Sequence, residues 1–334
     1  MIISQTPLRI SFVGGGTDLK SFYHREAGMV ISAAIDKYVY VIVKERFDDK
    51  IYINYTRKER VDDVSEIKHD LVREAMKKAG VTRGIEITTL ADIPSEGSGL
   101  GSSSSIAVGL LNALYIFAGN QVTPEQIARE ACEIEIDICK KPIGKQDQYI
   151  AAYGGLNKIT FYPDESVTVS RLPIFNSDLL KFGSHLLLFY TNKTRKADLI
   201  LTKQKKGTES KRETLRAMRD LVPGLENFLV RGKFDKLGSL LHENWLLKKS
   251  LVDTISNPDI DKMYERAIEA GALGGKVCGA GGGGFLLLYV RKGRQDAVRA
   301  ALKDYRELPF MLDSYGTRII FSEELFDEVM LNVA

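Results

Sequence analysis

Apolar positions in this chain recur with two different periods, and the two periods alternate along its length. Leu8 to Val13, Val39 to Lys44, Ile51 to Tyr55 and Ile85 to Leu90 are short runs rich in Val, Ile and aromatic residues, which predicts strands. His69 to Ala79 reads as a helix. From Ser104 onward Ile106, Leu110, Ala113, Leu114 and Phe117 fall three and four apart, predicting a helix with one buried face that ends at Gly119 as its C′ residue. Thr123-Pro124-Glu125-Gln126 opens another, with Thr as N-cap, Pro at the first helical position and Gln completing a capping box. Its core stripe at a period of 3.6 is Ile127, Ala131, Ile134 and Ile138.

A second regime begins near Leu172-Pro173. It holds a strand at Leu186 to Tyr190, a charged helical region from about Lys196 to Leu221, and helices around Phe234 to Leu247 and Asp259 to Ala270. A glycine cluster at Gly274 to Gly284 then leads into a strand at Phe285 to Val290. The alternation predicts a mixed fold of the α+β kind. A chain of 334 residues can fill two domains, expected at 1–172 and 173–334.

Pro94 to Ser105 reads Pro-Ser-Glu-Gly-Ser-Gly-Leu-Gly-Ser-Ser-Ser-Ser and runs straight into a periodic helix. Gly97, Gly99 and Gly101 let the backbone turn through positive φ, so that its N–H groups and the helix N-terminus can meet an anion. A phosphate cradle is expected. A Walker A loop would need a Lys that this run lacks, and a nucleophile elbow would need Gly-x-Ser-x-Gly. A dinucleotide fingerprint would need a third glycine where Ser104 stands. A flexible linker would not lead into so periodic a helix.

Charge narrows the function classes. Lys+Arg 47 against Asp+Glu 44 gives a formal +3, too balanced to make nucleic acid or membrane the main partner. The basic stretch Lys203 to Lys211 reads as a solvated face. The apolar runs Leu186 to Tyr190 and Phe285 to Val290 are too short to span a bilayer, and the first residues lack a secretory pattern. Three cysteines without metal-ligand spacing fit reduced thiols, so a cytoplasmic enzyme is expected.

Acidic residues supply the candidate chemistry. At 100° per residue Glu135 lies at the margin of the core stripe while Glu133 and Asp137 point away from it. It is therefore the carboxylate expected to face a site, although a surface carboxylate fits the periodicity as well. Twelve residues on, Gly144-Lys145-Gln146-Asp147-Gln148 delivers Asp147, for which a helix N-cap is the competing role.

Near the N-terminus, Pro7-Leu8-Arg9-Ile10-Ser11-Phe12-Val13-Gly14-Gly15-Gly16-Thr17-Asp18 ends a strand in glycines and an acid. Together with the loop at 94–105 and Gly274-Gly275-Lys276-Val277-Cys278-Gly279-Ala280-Gly281-Gly282-Gly283-Gly284, it resembles the three-motif pattern of the GHMP kinase superfamily over nearly the whole chain. Gly15-Gly16 replaces the Glu-His of galactokinase-like members. With Ile35-Asp36-Lys37-Tyr38 and Gly144 to Gln148, that variant is most similar to the D-glycero-D-manno-heptose 7-phosphate kinases.

The resemblance implies a two-domain GHMP kinase fold with the active-site cleft between the domains. It also implies ATP and Mg²⁺ as cofactors. Gly97, Ser98, Gly99, Leu100, Gly101, Ser102, Ser103, Ser104 and Ser105 would wrap the ATP phosphates, with Ser103 and Glu135 as metal ligands. Asp147 would accept or orient the sugar hydroxyl proton, with Arg9 as the cation beside it. Asp18, with Gly15, Gly16 and Thr17, would hold the sugar; Gly279 to Gly282 would shape the second wall of the cleft, with Gly281 and Gly282 against the substrate, or serve only as a turn supporting the strand from Phe285. A phosphorylated sugar needs a cationic pocket, for which Arg195 in Thr191 to Lys196 is the candidate, the neighbouring lysines reading as a solvated loop. The activity implied is phosphorylation of the anomeric hydroxyl of D-glycero-D-manno-heptose 7-phosphate for nucleotide-activated heptose and surface glycans. Kinases of unphosphorylated fucose or galactose are the near alternative, and a catalytically silent sugar or nucleotide sensor is the distant one. Partners beyond the sugar phosphate are not implied, though a homodimer is compatible.

Overall fold

The structure, a computed structural model, describes residues 1–94, 97–194 and 197–323. Strands β1 (Ile2–Val13), β2 (Gly28–Glu45), β3 (Ile51–Asn54), β4 (Lys58–Val61), β5 (Ile85–Ala91), β6 (Leu156–Phe161) and β7 (Val167–Arg171) belong to one sheet. A second, three-stranded sheet holds β8 (Leu186–Tyr190), β9 (Ala272–Val277) and β10 (Phe285–Val290) in the order β8-β10-β9. The chain then returns through β11 (Arg318–Ser322) to pair antiparallel with β1.

β2 organises the large sheet. One edge pairs with β1 along nearly its whole length, while the other pairs first with β6 (Gly28 to Ala33) and then with β5 (Val39 to Glu45). The sheet therefore forks midway along β2. Only β3 and β5 run parallel among the described pairs.

The helix Ser102–Phe117 packs across β1 and β2 and is flanked by the helices Asp70–Ala79, Pro124–Cys132 and Gln146–Tyr153. The expectation of a single buried face is corrected here. Leu110, Ala113 and Leu114 are buried as the period predicts, but so are Ala107, Val108 and Leu111, while Ile106 and Phe117 are only half-buried. A helix between a sheet and three other helices has almost no solvent side, and such a helix is apolar nearly all round. Its predicted end holds: Gly119 follows the helix with φ +74°.

The charged region expected as one helical stretch resolves into the helices Ala197–Gly207 and Arg212–Val230. Arg212, Arg216 and Arg219 of the second converge on Glu26, tying it to the turn before β2. Lys203, Lys205 and Lys206 are solvent-exposed, as expected. A smaller core gathers Trp245, Met263, Leu286 and Leu288 around the second sheet. All three cysteines are free, and no helix among the described residues is long and apolar enough to cross a membrane.

Candidate active site

Gly97, Gly99 and Gly101 all have positive φ, at +72°, +73° and +80°, and Gly101 caps the helix Ser102–Phe117. The loop is stitched to the sheet by the Arg9 N–H on Leu100 O at 2.9 Å and by Ser105 Oγ on Pro7 O at 2.8 Å. Its crest meets the second half of the chain backbone to backbone. A Cβ on Gly99 would come within 2.7 Å of Cys278 O, and one on Gly279 within 2.6 Å of Gly99 Cα. Only glycine fits at either position. The opening turn of the helix thus presents unpaired N–H groups and the positive end of its dipole to the cleft.

Asp147 lies in the first turn of the helix Gln146–Tyr153 and receives a two-pronged ion pair from Arg9, Nε to Oδ1 at 2.7 Å and Nη2 to Oδ2 at 2.6 Å. A third guanidinium N–H, on Nη1, donates to Gly99 O at 2.6 Å. This fork fixes the carboxylate in orientation and links it to the phosphate loop. Asp147 retains 22 % side-chain exposure, so the pair is open on the cleft side. Asp18 accepts from the Gly16 N–H at 2.9 Å, and its position requires Gly144, because a Cβ there would meet Asp18 Oδ2 at 2.0 Å. Burial first, and the Asp147 charge second, hold the Asp18 carboxyl above the ordinary aspartate range.

Glu135 is fully buried. After Cys132 the helix widens into a π-turn over Glu133–Ile138, with the Cys139 N–H reaching Ile134 O at 2.8 Å. The wider turn shifts every later side chain from its 3.6-residue phase. Ile138, expected in the core stripe, is consequently exposed, and Glu135 moves from the margin to the interior. Its Oε1 accepts from Ser103 Oγ at 2.6 Å, its Oε2 from Ser104 Oγ and Gln148 Nε2, each at 2.6 Å. Lys141 Nζ sits against the same group, 2.9 Å from Ser103 Oγ and 3.4 Å from Glu135 Oε1. Glu133 instead points outward to Lys78.

Arg9, Asp18, Ser103 and Asp147 from one half of the chain and Lys248, Lys276 and Gly279 from the other line one cleft of about 770 Å³, while Glu135, expected to face it, lies buried behind Ser103 and outside its lining. Residues 67–155 match the family described as GHMP kinases N terminal domain, and residues 223–307 that described as GHMP kinases C terminal. The chain is 33 % identical over 306 residues to the D-glycero-alpha-D-manno-heptose 7-phosphate kinase of Campylobacter jejuni, covering 86 % of this chain and 89 % of that one. The chain is a GHMP kinase.

Among solved structures, the kinase resembles a D-glycero-D-manno-heptose 1-phosphate kinase from Bacteroides thetaiotaomicron, with a TM-score of 0.81 at 26 % identity over 96 % of this chain and 100 % of that one. It is also 25 % identical to the galactokinase of Pyrococcus furiosus over 91 % of this chain and 93 % of that one. As a GHMP kinase it is a phosphotransferase that takes its phosphoryl group from ATP and delivers it to a sugar hydroxyl.

Not every expected residue of the kinase reaches the cleft. Gly15, Gly16, Gly97, Ser98, Gly99, Gly101, Ser102, Ser103 and Ser104 line it with Arg9, Asp18 and Asp147. Leu100 and Ser105 are buried behind the loop as its anchors, and Thr17 turns inward to bond Gly14 O and Met29 O. On the far wall the lining residues are Gly279 and Ala280, while the Gly282 N–H bonds Ile255 O and a Cβ on Gly281 would meet the same carbonyl at 2.8 Å. Arg195 lies outside the described residues. Sequence reasoning missed Lys141, Lys248 and Lys276, all of which line the kinase cleft. Lys276 carried a signal, being a lone charge in the otherwise apolar and glycine strand Ala272–Val277. Lys248 carried none, since beside Lys249 at a helix end it reads as a solvated charge.

Proposed function

We propose that this kinase transfers the γ-phosphoryl group of ATP to the anomeric hydroxyl of D-glycero-D-manno-heptose 7-phosphate, giving the 1,7-bisphosphate on the route to nucleotide-activated heptose for surface glycans. The observation that carries this reading is the Arg9–Asp147 fork opening into the cleft beside the phosphate loop, in a chain so extensively similar to the Campylobacter enzyme. An anomeric hydroxyl is more acidic than an ordinary alcohol. A carboxylate oriented by a guanidinium can therefore accept its proton as the oxygen bonds to the γ-phosphorus and the bond from that phosphorus to the ADP oxygen breaks. Charge on the transferred oxygens is met by the loop N–H groups and by the helix dipole. Asp18, buried and already holding the backbone N–H groups of Gly16 and Gln146, orients sugar hydroxyls.

Magnesium fits Ser103 Oγ and Glu135 Oε1. Both are hard oxygens, and they already attract a positive charge in the Lys141 ammonium. With one protein carboxylate in the pair, the remaining ligands would be phosphate oxygens and water, the usual pattern for this ion. When bound, it supplies charge neutralisation to the nucleotide phosphates.

A panel of acceptors assayed for ADP release tests the reading. Heptose 7-phosphate is expected to exceed free heptose, fucose and galactose in kcat/KM by about tenfold or more, the scale of one charged contact. A sugar blocked at the anomeric oxygen, heptose 1-phosphate, should not be phosphorylated. Turnover of heptose 1-phosphate, or equal use of the free sugars, would overturn the assignment.

A further inference from the structure

The cleft floor holds two ammonium groups that the transfer chemistry above does not use. Lys276 and Lys248 retain 2 % and 6 % exposure, yet both line the cleft. Neither has a carboxylate within ion-pair distance among the described residues; their hydrogen bonds go to backbone carbonyls alone. Lys276 donates to Ser11 O at 2.7 Å, and Lys248 donates to Val277 O at 3.2 Å and to Gly279 O. An ammonium has three N–H groups, so both lysines keep donors in reserve. Beside them Ser11 Oγ is buried without a hydrogen-bond partner, and Ser11 too lines the cleft.

Two like charges buried together without a counter-ion are costly. Burial brings Lys276 down to about 8, and burial, then Lys276 itself, pushes Lys248 well below the usual lysine range. An arrangement of this kind is stabilised by an anion that supplies the missing charge and acceptors. We propose that Lys248, Lys276 and Ser11 form a buried binding site for a phosphate group of a substrate. A phosphate offers enough oxygens to take the spare N–H groups of both lysines and the Ser11 hydroxyl. Two sources bring one into this cleft: the γ-phosphoryl of ATP, and a phosphate carried by the acceptor. The crossing of Gly99 over Gly279 brings the carbonyl-bound Lys248 close to the nucleotide loop, and Lys276 feels the charges of Arg9, Asp18 and Asp147, where the acceptor is expected.

The site itself requires only that the protein be a kinase, whereas its acceptor arm rests on the heptose phosphate reading. Lys276→Met and Lys248→Met, with Lys276→Gln as a second variant should the methionine fail to fold, are titrated calorimetrically with AMP-PNP, ADP, heptose 7-phosphate and free heptose. A γ-phosphoryl site predicts AMP-PNP binding weakened about tenfold or more with ADP nearly unaffected, the scale of losing a charged hydrogen bond. An acceptor-phosphate site predicts the same loss for heptose 7-phosphate, with free heptose and both nucleotides unaffected. Parental affinity for all four ligands, with a change only in melting temperature, would make Lys276 a strut between β1 and β9 and Lys248 one between the helix Asp235–Lys249 and the end of β9, and overturn the proposal; equal weakening of AMP-PNP and ADP would overturn it too. Should the parent enzyme bind no heptose phosphate, the substrate assignment falls, while the AMP-PNP to ADP comparison still decides the site.

Discussion

Asp147→Asn is expected to lower turnover by about 10²- to 10⁴-fold, the span usual for removing a general base, with KM for ATP close to that of the parent. Asparagine keeps the shape and can still accept from Arg9, so the loss reports basicity and charge. The nucleotide loop is held by Leu100 and Ser105 rather than by Asp147, which is why nucleotide affinity should survive. The variant has a second, independent signature. The Asp147 charge helps to hold the Asp18 carboxyl above its ordinary range, so Asp18 should titrate at lower pH in the variant, measurable by carbon NMR of the carboxyl groups. Turnover within about fivefold of the parent would remove Asp147 from the base role.

Glu135→Gln should raise the Mg²⁺ concentration needed for half-maximal activity by about tenfold or more, since the carboxylate charge is lost from the only carboxylate–hydroxyl pair here assigned to the ion. It should also cost about 1–3 kcal/mol of stability. The reason is local. Both oxygens of this buried group accept hydrogen bonds, and an amide NH₂ would face Ser103 and Lys141 on one side, or Ser104 and Gln148 on the other. Glu133→Gln is the control: its bond to Lys78 is only partly buried and lies away from the cleft, so stability should change by less than about 1 kcal/mol and magnesium dependence not at all. Magnesium titrations and thermal melts of the two variants decide between them, and identical behaviour would contradict the site.

Glu135 also marks how much of this protein could be read from its sequence. Helical phase picked it over Glu133 and Asp137, yet the same phase put Ile138 in the core, where it is not. A π-turn leaves no compositional trace, because it depends on which carbonyl each N–H selects rather than on the side chains that follow. The glycine loops were legible, since only glycine tolerates their φ values and close approaches. The helix Gln146–Tyr153 was not, because Gly144-Lys145-Gln146 lacks a strong N-cap and the segment is short. Lys248 was hidden for a different reason: beside Lys249 it reads as an ordinary solvated lysine, and only the tertiary fold takes it out of water, whereas Lys276 stood out as the lone charge of an apolar and glycine strand.

The backbone crossing of Gly99 on Cys278 and Gly279 bears on how the two halves of the chain are held at the cleft. Arg9 adds a bond to Gly99 O, and Lys276 ties β9 to Ser11. The base of the cleft is thereby pinned at two points between the two halves of the chain, Gly99 against Cys278 and Gly279 and Lys276 on Ser11, and close-packed backbones do not part without losing these contacts together. Asp198, Leu201 and Gln204 of the helix Ala197–Gly207 line the same cleft, with Gln204 packed against Gly16. Within the first half Arg9 bonds Asp147 and Gly99 at once, so the distance from the glycine loop to the proposed base does not depend on how the two halves are held together.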